Sequence, residues 1–239
     1  MKYNDKNLNL PIGIPIQNGK IDNISGIQKF GYNSSVSTSF ETIWDNGDLY
    51  NYPTTATTAV ATSDNTGDDN NGTVHVFGLD ANYDLIDEVI TIGGSASTAL
   101  FIRVFRAYMQ TGETDNVNQG NITITVNSIA VAKITAGYGQ TLMSVYTIPR
   151  NYRGFLMSFD AGTSKQKEVE LKIMVRPING NTFQTKAFLT TFGVPIRKEY
   201  LIPEILIEKT DIEVRAKADA ATAISAGFEL ILQDITLGI

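Results

Sequence analysis

Few side chains in this sequence have both the type and the spacing to do chemistry, and a histidine comes first among them. His75 is the sole histidine of 239 residues, and there is no cysteine. It stands in Thr73-Val74-His75-Val76-Phe77, an alternating run that sets it on the face opposite Val74 and Val76. One imidazole without a thiolate cannot complete the usual transition-metal shell. A Ser-His-Asp mechanism would need this one ring, and no serine is placed beside it. It reads as an exposed strand residue. No Gly-x-Ser-x-Gly, His-Glu-x-x-His or phosphate-loop pattern occurs. Paired carboxylates are the remaining enzymatic route, because glycoside hydrolysis needs only two. Asp87-Glu88 and Glu168 with Glu170 are the candidates, and strand spacing aims them outward as solubilising decoration. Asp64, Asp68 and Asp69 with Asn65, Asn70 and Asn71 have the composition of a hard-cation loop but match no ligand template, so a solvated loop is expected. Arg103, Arg106, Arg150 and Arg153 suit either an acidic partner or neighbouring carboxylates. Tyr138, Tyr146, Tyr152 and Tyr200 suit either sugar stacking or packing at strand ends, and Tyr138 and Tyr152 are the candidate glycan contacts. No catalytic residue, cofactor or metal site is expected.

The bulk composition points to an all-β chain. Hydrophobic residues make up 42% and charged residues only 18%, below the roughly 25% usual for globular domains. The polar remainder is rich in Thr, Ser, Asn and Gly, which favour strands and turns. A net charge of −6 disfavours a nucleic-acid groove. The absence of cysteine removes disulfides and thiol chemistry. The N-terminus lacks the basic and apolar regions of a secretory signal, and no run approaches about 18 apolar residues, so a soluble product without a membrane partner is expected.

In residues 1–25, Leu8, Leu10, Ile12, Ile14 and Ile16 alternate around Pro11 and Pro15, which suggests an extended arm laid on a neighbouring subunit's sheet edge. The next stretch, 26–52, holds the only tryptophan, Trp44, beside Phe30, Tyr32, Phe40, Tyr50 and Tyr52. Phe30, Tyr32, Phe40 and Trp44 are read as a hinge, with Trp44 plugging the base of the domain that follows. Residues 54–72 are low in complexity. Hairpins are expected at 73–77 with 85–92, and at 121–126 with 129–134 around Asn127-Ser128; 99–109 is expected to be one strand buried between two layers. After a break at Ala136-Gly137-Tyr138-Gly139, strands are read at 141–148, 153–160, 168–175, 183–192, 194–201, 211–217 and 224–231. In 168–175, Val169, Leu171, Ile173 and Val175 form one buried face. The expected plan is an arm and hinge at 1–45, a β domain at 46–135 and an antiparallel, jelly-roll-like β-sandwich at 136–239.

Several strings carry a resemblance: Ile27-Gln28-Lys29-Phe30-Gly31-Tyr32-Asn33, Glu41-Thr42-Ile43-Trp44-Asp45, Val76-Phe77-Gly78-Leu79-Asp80-Ala81-Asn82-Tyr83, Phe101-Ile102-Arg103-Val104-Phe105-Arg106-Ala107, Ala136-Gly137-Tyr138-Gly139-Gln140-Thr141-Leu142, Glu208-Lys209-Thr210-Asp211-Ile212-Glu213-Val214-Arg215 and Ser225-Ala226-Gly227-Phe228-Glu229-Leu230-Ile231. From about residue 26 onward the chain resembles virion structural proteins of tailed bacteriophages, particularly short-tailed phages of marine bacteria. The resemblance implies a non-enzymatic particle component made in the host cytoplasm. The expected role is a head decoration or cement subunit, with the major capsid protein and copies of itself as partners, assembled as a homotrimer. The alternative is a tail-fibre, collar or spike module that binds a host receptor or glycan.

Overall fold

The structure, a computed structural model, describes residues 13–68, 72–112 and 117–236. Leu8, Leu10 and Ile12 of the expected arm lie outside the described residues, as do Asp69, Asn70 and Asn71. In chain order the elements are α1 (Gly13–Gln17), β1 (Ile24–Val36), β2 (Glu41–Thr42), β3 (Thr57–Ser63), β4 (Thr73–Leu79), β5 (Leu85–Thr91), β6 (Leu100–Phe101), β7 (Arg103–Thr111), β8 (Ile122–Val126) and β9 (Ile129–Ile134). They continue with β10 (Val145–Thr147), β11 (Tyr152–Thr163), β12 (Glu168–Arg176), β13 (Gln184–Phe192), β14 (Ile196–Leu206), β15 (Asp211–Ala218) and β16 (Thr222–Asp234). Every pairing is antiparallel.

Two facing sheets form the sandwich. One runs β1-β16-β11-β14 and the other β10-β15-β12-β13, with β2 added beside β15. Number β1 and β10 to β16 one to eight along the chain, and the sheets read 1-8-3-6 and 2-7-4-5. That nesting of two Greek keys is a jelly roll. Alternation produces its core: Val169, Leu171, Ile173 and Val175 of β12 share one buried cluster with Ile224, Ala226, Phe228, Leu230 and Leu232 of β16 and with Leu156 and Phe159 of β11. Each buried valine, leucine, isoleucine or phenylalanine there contributes about 1.5–3 kcal/mol relative to exposure.

The jelly roll does not begin at residue 136. Its first strand is β1, paired with β16 from Ile24↔Gln233 to Val36↔Thr222. Residues 24–36, expected to lie in an arm and hinge, are therefore part of the sandwich. The reason they escape a pattern search lies in Gly31, where a Cβ would meet Ile43 O at 2.3 Å and Ser144 N at 2.4 Å. Here β1 backs directly onto other main chain, so between Ile27 and Val36, which reach the core, no apolar side chain marks the face. Ahead of β1, residues 13–17 are helical, not extended. Pro15 sits in the first turn, where a missing N–H costs nothing, and Asn18 N and Lys20 N donate to Ile14 O and Pro15 O.

Between β2 and β10 the chain leaves to build a second lobe of two sheets, β6-β3-β8-β9 and β5-β4-β7. Its core holds Val74, Val76, Phe101, Ile124 and Trp44, the last 2% exposed. Two expectations are corrected here. Residues 57–63 are a strand within the low-complexity stretch, hidden because its inward residues are the small Ala59 and Ala61. The single strand expected over 99–109 is two: β6 pairs with β3 and β7 with β4, and the break falls at Ile102.

A buried polar network joins the lobes. Arg103 of β7 reaches Asp211 of β15 through Nε at 2.8 Å and Nη2 at 3.1 Å, while Nη1 donates to Pro53 O and Ile102 O at 2.7 and 2.8 Å. Asp211 also accepts from Thr147 and Arg176, each at 2.7 Å. Beside it Glu213 accepts from Arg215, Tyr52 and Thr42.

Candidate functional site

The outer face of β5-β4-β7 gathers side chains that lie far apart in sequence. The inward set Val74, Val76 and Ala107 anchors the sheet to the lobe core, so the alternate positions His75, Phe77, Arg106 and Tyr108 must face away from it. Register sets His75 opposite Tyr108 and Val89, and Phe77 opposite Arg106 and Asp87. His75 Nε2 lies 2.6 Å from Asp87 Oδ2 and Nδ1 lies 3.1 Å from the Tyr108 hydroxyl, so both ring nitrogens are engaged. The rings of His75 and Phe77 are 4.2 Å apart, and those of Phe77 and Tyr108 are 5.6 Å apart and stacked. The Arg106 guanidinium lies 5.8 Å from the Phe77 ring and 5.3 Å from Tyr108. His75 is thus a member of an ordered aromatic platform instead of an isolated exposed residue.

Beyond β7 the segment 138–141 runs alongside as an irregular neighbour. Met109 N donates to Gly139 O at 2.7 Å and Thr141 N to Ala107 O at 2.9 Å. Asn118 holds the same turn from beneath: it accepts from Gly139 N at 3.0 Å and donates to Thr135 O at 2.9 Å. Tyr138 is therefore fixed at the platform's border while 48% exposed.

Three depressions meet around this segment. A 420 Å³ depression lies over Phe77, Tyr108 and Tyr138. A 300 Å³ cleft lies between Lys29 of β1 and Arg106 of β7, with Gln140 and Thr141 on its wall. A 520 Å³ depression is lined by Phe30, Tyr32, Tyr138 and Asp160. Arg106 and Gln140 belong to the first and second, Phe30 to the second and third, and Tyr138 to the first and third. Together they form one seam between the sandwich and the lobe.

The electrostatics of the seam are uneven. Lys29 donates to Phe105 O, and burial, reinforced by the Arg106 charge, lowers its pKa to about 7. Burial raises the Asp160 pKa at the other end, against the pull of Arg197. Among the described residues neither Lys29 nor Arg106 has a carboxylate within ion-pair distance. Other cations do: Arg103 and Arg176 with Asp211, Arg150 with Asp84, and Lys217 with Glu170.

The residues singled out from sequence separate into distinct places. Phe30, Tyr32 and Tyr138 come together in the seam. Tyr152 does not join them, for it packs against the sandwich core. Trp44 is in the lobe core, its indole N–H given to Gly47 O at 2.7 Å. Phe40 lies under Lys172 and Lys217, 3.8 and 5.2 Å from its ring. Ile16 is covered while Ile14 is exposed. The aspartate loop is no free solvated loop: Asp68 is buried and accepts from Ser63 Oγ, Gln119 N and Gly120 N, and Asp64 accepts from both Asn121 nitrogens. Asp87 and Glu88 diverge, the first toward His75 and the second onto Thr98 N and Ala99 N. Lys29, Phe77, Arg106 and Tyr108 were not singled out together, because only cross-strand register brings them into one place. Among the described residues no group of three or more His, Cys, Asp or Glu side chains is placed to hold a metal, and no helix is long and apolar enough to cross a membrane.

No protein-family profile matches the chain, and no curated protein does. Among solved structures it is similar to that of the infectious bursal disease virus Gx strain, at 10% identity and a TM-score of 0.27 over 89% of this chain and 72% of that one. The corresponding Gt strain structure gives 11% identity and 0.23 over 88% and 72%, and the VP2 subviral particle of the same virus 11% and 0.20 over 89% and 72%. Similarity at that level says nothing about what this chain does.

Proposed function

We propose that the chain is a non-enzymatic structural subunit of a virus particle, a phage head-surface protein that cements neighbouring shell subunits. The observation that carries this reading is the open edge of the sandwich. On β14, Glu204 pairs with Leu156 and Glu199 with Ser158 of β11, so residues 200–203 bow out against the single residue Met157. At the crest Leu201 is 100% exposed and Ile202 87%. Ile205 and Ile207 on this strand and just beyond it, and Phe188, Phe192 and Val194 on and after β13, are exposed as well. An apolar surface of that kind marks a contact made in assembly, and Pro203 keeps the edge from adding strands indefinitely. The sequence resemblance supports the same reading, with the major capsid protein and further copies of this chain as partners. The jelly roll is a host for viral capsid and lectin domains alike, so the fold by itself does not choose between them.

The test is binding of purified protein to empty phage heads. Wild-type protein is expected to decorate heads in hundreds of copies, and the double variant Leu201→Asp/Ile202→Asp to remain folded and unbound. A copy number in the range of a tail ring, or unchanged binding by the variant, would overturn the cement role. A second reading, a fibre, collar or spike module that binds a receptor glycan, is favoured by the aromatic seam.

A further inference from the structure

We propose that the seam between jelly roll and lobe binds an acidic oligosaccharide, its carboxylate or sulfate held between Lys29 and Arg106 and its sugar rings laid on the flanking aromatics. The proposal rests on the glycan-binding reading and gives it a ligand class; the site lies apart from the β13–β14 edge, so its failure leaves the cement role untouched.

Three independent features point to that ligand class. The first is unbalanced charge. Lys29 has one hydrogen-bond acceptor, the Phe105 carbonyl, which leaves two ammonium hydrogens for another partner. Arg106 spends its guanidinium on ring faces and leaves its fork of donors unmatched by a carboxylate among the described residues. Two like charges facing one 300 Å³ cleft repel each other, and a single bridging oxyanion relieves both.

The second feature is the aromatic surround. Phe77 and Tyr108 on one side, and Phe30, Tyr32 and Tyr138 on the other, border depressions that open into the charged cleft. Aromatic faces gain from contact with the C–H faces of a pyranose, while tyrosine hydroxyls and amides such as Gln140 answer its hydroxyls. The third is shape. The 420, 300 and 520 Å³ depressions adjoin one another around residues 138–141, each pair sharing a lining residue, and so give room for more than one sugar unit beside the charged position. Asp160, which lines the 520 Å³ depression, disfavours a second acidic group there, so one anionic unit at the Lys29–Arg106 position is the expected placement.

The test is calorimetric titration of the full chain with an oligogalacturonate, a sulfated oligosaccharide, the methyl-esterified neutral form of the first, inorganic sulfate and a poly-glutamate peptide. The expected result is saturable binding of one or both acidic oligosaccharides, at least tenfold tighter than the neutral form or sulfate, which also tells carboxylate from sulfate. Arg106→Gln is expected to weaken it at least tenfold and Tyr138→Ala several-fold. Both positions are exposed, so the variants keep the fold, which unfolding midpoints verify. Lys29→Gln is a third variant read in the same way. Absence of saturable binding to either acidic oligosaccharide overturns the proposal. So does equal affinity for sulfate, which leaves only a small-anion site, or equal affinity for the peptide. Unchanged binding by both Arg106→Gln and Tyr138→Ala removes the site from the seam and overturns it too.

Discussion

Replacing Asp211 with Asn tests whether the two lobes are locked by charge. The carboxylate accepts from Arg103 Nε and Nη2 at 2.8 and 3.1 Å, from Arg176 Nη2 and Nε at 2.7 and 3.3 Å, and from Thr147 Oγ1 at 2.7 Å. Its side chain is 5% exposed and that of Arg103 7%. Asparagine preserves the shape but removes the charge and turns an N–H₂ toward guanidinium donors. Arg103 would retain the carbonyls of Pro53 and Ile102 and the rings of Tyr52 and Tyr83 at 5.0 and 5.4 Å, with no anion to compensate it. Removing one member of a buried pair costs about 3–5 kcal/mol. For a chain of this size that lowers the unfolding midpoint by roughly 6–20 °C, at about 2–4 °C per kcal/mol. Urea titration followed by fluorescence of Trp44, the sole tryptophan and a buried one, measures it directly. The control is Arg150→Gln, which breaks an exposed pair with Asp84 and is expected to cost about 0–1 kcal/mol. Replacing both members of the most buried pair, as Arg103→Met with Asp211→Leu, leaves only the more exposed Arg176 without its carboxylate and is expected to cost less than Asp211→Asn alone. If Asp211→Asn lies within 1 kcal/mol of Arg150→Gln by this assay, roughly the worth of an exposed pair, the lobes are not held by this network.

Further outcomes follow from the same physical arguments. Gly31→Ala places a methyl group against the main-chain atoms Ile43 O and Ser144 N, neither of which can turn aside, and is expected to cost about 2–3 kcal/mol in the same urea titration. Lys29 is held at about 7 when folded against 10.5 when unfolded, so the unfolded chain binds the extra proton between those values. Its contribution to stability is present above pH 10.5 and lost as pH falls through about 7. Lys29→Met is therefore expected to match wild type near pH 10.5 and to gain a widening advantage in melting temperature down to about pH 7, with no further widening below. Asp45 has the opposite sign. Burial raises it from 3.8 to about 7 although it accepts from Leu142 N and Thr135 Oγ1, so its contribution is complete below pH 3.8 and lost as pH rises through about 7. Asp45→Asn is expected to flatten the melting-temperature profile between those values, and an unchanged slope would refute the assignment.

The parts of the fold legible in sequence are those whose alternation faces a real core. In β12, valine, leucine and isoleucine at every second position announce both the strand and its buried side. The hairpin of β8 and β9 is equally plain, because Asn127 and Ser128 both adopt positive φ, as its two-residue turn demands. The strands that escaped detection meet something other than side chains or meet very small ones: β1 crosses main chain at Gly31, and β3 turns alanines inward. A strand is written in its side chains only where side chains are what it packs against.

By itself the sequence determined the chemistry the chain has to work with: one histidine, no cysteine, few charges, and aromatics scattered through a β-forming background. It also singled out Phe30, Tyr32 and Tyr138 before any of them had a neighbour. Tertiary structure alone decided that Ile24–Val36 is the first strand of the jelly roll and that Lys29 and Arg106 face one cleft. The physical reason is distance along the chain. Residues 29 and 106 belong to strands of different lobes, and residue 138 to the segment that links them. No local period relates such positions, and the antiparallel register that brings them together exists only once both lobes have folded.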